Sequence, residues 1–222
     1  MTTFVLIPGA GGVASYRHRV VSLLAEAGHD AIAVDLPGDD PESSLPEYAA
    51  LVRAAVDGYR DVVLVAQSLG GFTAPLAAAP PVSAIVFVNA MIPILGETPG
   101  GWGDATGQAQ AMAAAAKRGG YGTDMDLQTY FMHDAPQEVI SSGGLSRDEA
   151  DAVFGAVCGF GAWPAIPVKV VAGAGDRLFP VEFQRRVARD RLGVEADVLP
   201  GGHLIALSQP GPLARYLLSV SA

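Results

Sequence analysis

Three polar residues with the side-chain chemistry of nucleophilic catalysis follow short apolar runs. Ser68 lies in the stretch AQSLGG (66–71), Asp176 in GAGDRLFP (173–180) and His203 in PGGHL (200–204). A serine hydroxyl can attack a carbonyl once a neighbouring base removes its proton. Histidine suits that base because its unperturbed pKa lies near neutrality, and an aspartate can hold the imidazole in the useful tautomer. The chemistry indicated is therefore acyl transfer through a covalent intermediate.

The surroundings of Ser68 are typical of a nucleophile elbow, a sharp turn between a strand and a helix. Such a turn needs small residues two positions before and two positions after the serine. Gly70 meets the second requirement, and Ala66 exceeds a glycine by one methyl group. Each residue also has a simpler interpretation: Ser68 as a helix N-cap, Asp176 as a partner of Arg177 and His203 as a structural histidine. Their shared position after strands, in the order Ser, Asp, His, favours the catalytic interpretation.

The elements that must position these residues alternate along the chain. Six short apolar runs are predicted strands, at residues 3–7, 31–34, 62–66, 84–88, 168–172 and 194–199. Most are continuous rather than alternating, which is typical of strands buried on both faces, and the sixth is more polar, as expected near an edge. Amphipathic segments are predicted helices at 16–27, 48–56, 72–79 and 213–220. This alternation predicts an α/β protein with a mainly parallel sheet and helices on both faces.

The segment from about residue 91 to 164 contains no strong strand. The run GETPGGWG (96–103) is predicted as a loop, and residues 109–118, 127–133 and 147–158 as helices. An insertion of this length is too long for a plain loop, so we expect a helical lid. The 222 residues then form a single domain, 1–222, with a lid at about 91–164.

Composition narrows the class of protein. The net charge is −9, half of the residues are hydrophobic and 17% are charged, which excludes intrinsic disorder. The acidic balance argues against nucleic acid or an anionic membrane as a partner. No apolar run reaches membrane-spanning length and the first residues lack the features of a signal peptide, so we expect a cytoplasmic protein. The single Cys158 excludes an internal disulfide, and no His/Cys/Asp cluster has the spacing of metal ligands.

The first forty residues also fit a different function, the binding of a dinucleotide. The run GAGGVA (9–14) follows a predicted strand, precedes a predicted helix and satisfies the dinucleotide-binding pattern G-x-G-x-x-G/A. Asp35 ends the next strand, where such proteins bind a ribose. None of the six tyrosines has a lysine four residues later, so the Tyr-x-x-x-Lys pair of short-chain dehydrogenases is absent.

These motifs together resemble the α/β-hydrolase superfamily, in particular its small esterase-like members from high-GC bacteria. The matching segments are VLIPGAG (5–11), LVAQSLGG (64–71), GDRLFP (175–180) and Gly202-His203. The resemblance implies an α/β-hydrolase fold with a sheet of about six strands. It also reassigns the glycine-rich turn, because Pro8-Gly9-Ala10 stands where the family has a His-Gly-x oxyanion loop.

The resemblance implies a role for each residue. Ser68 would be the nucleophile, His203 the base and Asp176 the acid of a catalytic triad, and the backbone N–H groups of Ala10 and Leu69 would form the oxyanion hole. Gly9, Gln67 and His133 could line the substrate pocket. The alternatives are a packing role for Gln67 and a surface or lid-packing position for His133, and these are favoured. The expected activity is hydrolysis of a carboxylic ester of a small molecule, with no cofactor.

The sequence leaves several alternatives open. The same triad could hydrolyse a lactone or an amide, cleave a C–C bond or catalyse hydroxynitrile-lyase-like proton transfer, because one fold hosts many reactions. A non-catalytic ligand-binding protein and a dinucleotide-binding oxidoreductase are further alternatives. The oligomeric state also stays open.

Overall fold

The fold is built on one parallel β-sheet. The computed structural model describes residues 1–138 and 147–220. The strands are β1 (Thr3–Ile7), β2 (Asp30–Ala33), β3 (Val62–Ser68), β4 (Val82–Ala90), β5 (Val168–Gly173) and β6 (Ala196–Leu199). Their order in the sheet is β2-β1-β3-β4-β5-β6, and every neighbouring pair is parallel. The predicted six-stranded parallel sheet is confirmed.

Burial along the strands follows their place in the sheet. β1, β3 and β4 are buried over nearly their whole length, whereas β2 is half-buried throughout and β6 is largely exposed. The two outer strands are thus the less apolar ones, as expected at sheet edges. β4 is longer than the predicted strand at both ends, and β6 begins at Ala196, two residues later than predicted.

Helices cover both faces of this sheet. They are α1 (His18–Glu26), α2 (Leu45–Val56), α3 (Gly70–Ala77), α4 (Pro99–Thr106), α5 (Gln108–Gly119), α6 (Leu127–Tyr130), α7 (Asp151–Gly155), α8 (Val181–Leu192), α9 (Ile205–Ser208) and α10 (Pro210–Val220), with a 3₁₀ helix at Ala14–Arg17. Val5 and Ile7 of β1 face a core shared with α2, α3 and α8. Phe4 and Leu6 face the opposite core, shared with α1 and α10. Both faces of the central strands therefore need apolar side chains, which explains their continuous hydrophobic runs.

The segment 91–164 contains four of these helices, α4 to α7, and its residues 139–146 lie outside the described residues. The predicted loop at 96–103 is wrong from Pro99 onward, where α4 begins. The Thr98 side chain accepts a hydrogen bond from Gly101 N at 3.1 Å and caps this helix. Trp102 is buried and its ring centroid lies 5.2 Å from that of Phe179. A cap and a buried aromatic anchor thus outweigh the poor helix propensity of the glycines.

Two further predictions in this segment were too long. The helix expected at 127–133 is the single turn α6, and the helix expected at 147–158 is reduced to α7. Residues 147–150 instead make contacts with loops at the carboxyl end of the sheet. Glu149 and Ala150, for example, bond to Gly11 and Gly38. Tertiary contacts therefore replace the expected helical turns.

The opposite end of β3 is anchored by Asp61, which supports a pH-dependent prediction. Its carboxylate accepts hydrogen bonds from Ser83 Oγ at 2.6 Å and Thr2 Oγ1 at 2.7 Å. These bonds, that of Ser83 most strongly, lower the pKa of Asp61. A lowered folded-state pKa gives stability that is present above the ordinary carboxyl pKa and is lost as the pH falls through the folded value.

Asp61→Asn is expected to lower the free energy of unfolding by about 1 kcal/mol at pH 7. The difference from wild type should shrink on acidification to about pH 3, since protonation removes the same carboxylate. Urea denaturation at both pH values measures this difference in the free energy of unfolding. Asp57→Asn, which changes an exposed carboxylate, is the matched control. Equal effects of the two substitutions would contradict the prediction.

No helix within residues 1–138 and 147–220 is long and apolar enough to cross a membrane.

Candidate active site

Ser68 occupies a strained turn at the carboxyl end of β3. Its φ is +52°, a left-handed value that non-glycine residues adopt at a cost of about 1–3 kcal/mol. Leu69 then has helical angles, φ −55° and ψ −30°, and α3 begins at Gly70. The strand therefore reverses into a helix around one residue, which is the elbow expected from the sequence pattern.

The glycines after Ser68 permit this turn to pack against its neighbours. A Cβ atom at Gly70 would overlap the carbonyl oxygen of Pro8, and one at Gly71 would overlap the carbonyl oxygen of Met91. In both cases the obstacle is backbone, which cannot move aside as a flexible side chain could. The elbow thus requires glycine at two successive positions.

The structure brings Ser68, His203 and Asp176 together in one hydrogen-bonded chain. Ser68 Oγ lies 3.0 Å from His203 Nε2, and His203 Nδ1 lies 2.9 Å from Asp176 Oδ2. The side chains of His203 and Asp176 are 1% and 0% exposed. Ser68 ends β3, and Asp176 and His203 follow β5 and β6; these strands are parallel, so the three residues meet at one edge of the sheet. This geometry allows a proton to pass from the serine hydroxyl to the imidazole.

Asp176 is fixed by donors on both carboxylate oxygens. Oδ1 accepts hydrogen bonds from Leu178 N and Phe179 N, each at 2.9 Å. Oδ2 accepts from Gln184 Nε2 at 3.2 Å in addition to its contact with His203. Oδ2 consequently faces the imidazole in a defined direction.

Two aromatic rings confine His203. The ring centroids of Phe131 and Phe179 lie 5.3 Å and 5.1 Å from that of His203, and both rings are nearly perpendicular to the imidazole. Phe131 comes from the segment after α6 and Phe179 from the loop that carries Asp176. The imidazole is therefore held from two sides by apolar surface.

Asn89 is a residue that sequence reasoning missed. It is fully buried near the end of β4 with φ +46°. Its Nδ2 donates to the carbonyl oxygens of Gly202 at 2.9 Å and His203 at 3.1 Å, and its Oδ1 accepts from Gly173 N at 2.6 Å. Asn89 thereby ties the loop that carries His203 to the end of β5. The signal available in the sequence was a polar residue near the end of an apolar run.

Asn89→Ala is expected to lower the free energy of unfolding by about 2–4 kcal/mol, because it leaves buried backbone groups of Gly173 and Gly202 without partners. Urea denaturation measures this loss. Thr73→Val is the matched control, since Thr73 is equally buried and its hydroxyl has no hydrogen-bond partner among the described residues. A loss below about 1 kcal/mol for Asn89→Ala would contradict the role given to this side chain.

The loop after β1 lies beside Ser68, and a Cβ atom at Gly9 would be 2.7 Å from Ser68 Cβ. The N–H groups of Ala10 and Leu69 have no protein acceptor among residues 1–138 and 147–220. The next N–H, that of Gly11, donates to Glu149 Oε2 at 2.6 Å. Two backbone donors near the serine are therefore unbonded among the described residues, while their neighbour holds the loop in place.

Glu149 is a second residue that the sequence did not reveal. Besides its bond to Gly11, it accepts a hydrogen bond from Tyr48 Oη at 2.6 Å through Oε1. Burial raises the pKa of this carboxyl. The segment 91–164 thus contributes directly to the position of the loop at residues 8–12.

The glycine-rich turn does not have the arrangement of a dinucleotide site. Asp35, the residue expected to hold a ribose, accepts a hydrogen bond from Ala14 N at 3.0 Å and pairs with Arg147 at 3.0 Å. The sheet order also differs from the 3-2-1-4-5-6 order of classic dinucleotide-binding sheets. Asp35 and the N–H groups of Gly11 and Ala14 are engaged by this chain itself.

A cavity of about 240 Å³ opens beside Ser68. Its lining includes Gly9, Ala10, Gln67 and His203, together with Arg17, Phe131 and Glu149. Gly9 and Gln67 thus both lie at the wall of this cavity. His133 is not among the residues that line this cavity. It packs instead against Gly202, and burial lowers its pKa, which favours the neutral ring.

Known proteins share both sequence and fold with this chain. The model of the Alpha/beta hydrolase family matches residues 4–216. Two rice proteins, each a "Probable esterase PIR7A" from Oryza sativa subsp. indica and subsp. japonica, are 38% identical over 108 residues. That match covers 42% of this chain and 41% of each relative, so the chain matches about two fifths of their length.

Solved structures agree over nearly the whole chain. Polyneuridine aldehyde esterase has a TM-score of 0.79 at 20% identity, covering 100% of both chains. A pyrethroid hydrolase from Sphingobium faniae JZ-2 has a TM-score of 0.77 at 22% identity, covering 99% of this chain and 97% of that one. At these identities the likeness shows a common fold. Together with the match to the family model, it establishes that this chain belongs to the alpha/beta hydrolase family.

Proposed function

We propose that the protein is a serine esterase that hydrolyses a small carboxylic ester through a covalent acyl-enzyme. The observation that carries this proposal is the hydrogen-bonded chain from Ser68 Oγ through His203 to Asp176, with distances of 3.0 Å and 2.9 Å, at the wall of a cavity. Membership of an esterase-type hydrolase family supports it, as does the name of the rice relatives.

Acylation begins when Ser68 Oγ attacks the ester carbonyl carbon. His203 Nε2 takes the hydroxyl proton as the new C–O bond forms, and Asp176 stabilises the resulting imidazolium through Nδ1–H. The imidazolium then gives that proton to the departing alkoxide. The alcohol leaves and the acyl group stays on Ser68.

The developing negative charge falls on the former carbonyl oxygen. The N–H groups of Ala10 and Leu69 are the donors assigned to it, since they are otherwise unbonded among the described residues. Removal of one such donor typically costs about 10²- to 10³-fold in kcat. Water, activated by His203, then attacks the acyl-enzyme and releases the acid by the reverse proton movements.

The size of the cavity indicates a small substrate. Its volume of about 240 Å³ lies below the range of about 300–1,000 Å³ that is usual for drug-sized ligands. Within a series of 4-nitrophenyl esters, we therefore expect the highest kcat/KM between acetate and butyrate. Longer acyl chains should react progressively more slowly, and a maximum at octanoate or beyond would contradict this size limit.

The decisive test is covalent labelling with a fluorophosphonate, followed by mass spectrometry of the digested protein. We expect one adduct, on Ser68, and no adduct in Ser68→Ala or His203→Ala. Ser22→Ala, which removes an exposed hydroxyl on α1, should label like the wild type. Folded wild-type protein without an adduct on Ser68 would refute the serine-esterase proposal.

A further inference from the structure

Arg17, at the end of the 3₁₀ helix, is a buried cation at the wall of the cavity beside Ser68. The residue is 4% exposed, and it lines the same cavity as Gln67 and His203. Arg17 NH1 donates to the carbonyl oxygen of Val13 at 2.8 Å, and NH2 donates to Gln67 Oε1 at 3.0 Å. Both acceptors are uncharged. A guanidinium has five N–H donors, so these two bonds leave part of its donor capacity unused.

Arg191, whose side chain is also largely buried, is bonded differently. The Arg191 side chain is 9% exposed and forms a two-point ion pair with Glu97, at 2.5 Å and 2.8 Å. Within residues 1–138 and 147–220, no carboxylate lies within ion-pair distance of Arg17. Burial lowers the pKa of Arg17 to about 10, so the side chain remains cationic at neutral pH. Its charge is thus removed from water without a compensating anion, which is costly.

The other charged side chains at this cavity are already engaged or face solvent. Arg147 pairs with Asp35, and Glu149 accepts hydrogen bonds from Gly11 and Tyr48. Asp148 is exposed. Arg17 is therefore the buried charge at this wall that an incoming ligand can neutralise. Its partner Gln67 is the residue next to Ser68, so a ligand anion at Arg17 would lie close to the reacting carbonyl.

The geometry points to recognition of a carboxylate by Arg17, so that the preferred substrates are esters that also carry a free carboxylate group. This inference rests on the proposed esterase function and names the substrate class of the same site. A carboxylate matches the planar fork of a guanidinium. It is also small enough to share a cavity of about 240 Å³ with an ester group.

The test compares pairs of esters that differ in one charge. In the first pair, monomethyl succinate carries the carboxylate on the acyl side and methyl butyrate has a methyl group there. In the second pair, 4-acetoxybenzoate carries the carboxylate on the alcohol side and 4-tolyl acetate has a methyl group there. We expect wild-type kcat/KM to favour the anionic member of at least one pair by about 10- to 100-fold, as for a charge-assisted hydrogen bond.

Substitutions of Arg17 distinguish recognition of the substrate carboxylate from a role in which Arg17 only positions Gln67. Arg17→Met should lower kcat/KM for the anionic esters far more than for the neutral ones and so abolish the preference, and Arg17→Lys should retain part of it. Arg53→Met, which removes an exposed arginine on α2, should leave the preference unchanged. If the wild type hydrolyses these esters without a preference for an anionic member, the inference is overturned. An equal loss on both members of each pair in Arg17→Met also overturns it, since that would mean Arg17 only positions Gln67.

A binding measurement keeps the inference independent of turnover and of the folding of Arg17 variants. Calorimetric titration of Ser68→Ala with the same four esters should show tighter binding of an anionic member by a similar factor. Equal binding of both members in each pair overturns the inference. If the wild type hydrolyses no ester while Ser68→Ala still prefers the anion, the esterase proposal fails and the role of Arg17 stands.

Discussion

Ser68→Ala is expected to lower kcat for ester hydrolysis by about 10⁴- to 10⁶-fold, the effect typical of removing a catalytic serine. No hydroxyl then remains 3.0 Å from His203 Nε2 to form the acyl-enzyme. The residual rate should stay above that of the uncatalysed reaction, because the backbone donors and the cavity are unchanged. Steady-state assays with 4-nitrophenyl acetate measure the loss. A kcat within tenfold of wild type would contradict the assignment of Ser68 as nucleophile.

Ser68→Gly is the informative companion variant. Both substitutions remove the nucleophile, but glycine adopts φ values near +52° without the steric cost that alanine retains. We expect Ser68→Gly to exceed Ser68→Ala in free energy of unfolding by about 1 kcal/mol, and the two to be equally inactive. Urea denaturation of both variants separates strain at the elbow from catalysis. Equal stabilities would show that the elbow stores no strain.

Asp176→Asn is expected to lower kcat by about 10³- to 10⁴-fold with little change in the fold. The backbone donors Leu178 N and Phe179 N keep the amide oxygen in the place of Oδ1. The amide nitrogen must then occupy the place of Oδ2, where it donates to His203 Nδ1. The imidazole proton moves to Nε2, which can no longer accept the proton of the serine hydroxyl.

The matched control for this substitution is Asp134→Asn. Asp134 Oδ2 accepts a hydrogen bond from Gly202 N at 2.5 Å, next to His203, and an asparagine oxygen can replace that acceptor. We expect its kcat to stay within a few-fold of wild type. The rate of fluorophosphonate labelling should likewise be close to wild type in Asp134→Asn and much lower in Asp176→Asn. Comparable losses in the two variants would indicate general disturbance of the loop rather than a wrong tautomer.

The sheet and the meeting of Ser68, Asp176 and His203 at its edge could be predicted from the sequence because both depend on strong local signals. The apolar runs before Ser68, Asp176 and His203 indicate buried parallel strands, and the carboxyl ends of such strands share one edge. The elbow could be predicted for a similar reason, since Gly70 meets a steric requirement that acts within a few residues.

The supporting residues could not be predicted because their roles depend on contacts across the fold. Asn89 bonds to groups more than 80 residues away, and Glu149 reaches the Gly11 loop from the segment 91–164. Nothing in the local pattern around Arg17 distinguishes a buried guanidinium from a solvated one. The place of His133 depends on such contacts too, since a histidine in the segment 91–164 can line the pocket or pack against neighbouring loops, and here it lies against Gly202.

The close backbone packing around the elbow has a consequence for how this enzyme could acquire new specificities. Side chains at Gly9, Gly70 and Gly71 would collide with Ser68, Pro8 and Met91, so these positions tolerate almost no replacement. Mutational tolerance must be concentrated elsewhere around the cavity. In directed evolution toward bulkier substrates, we expect accepted substitutions to accumulate at Leu127 and the residues flanking it, while the elbow and the turn beside it stay unchanged.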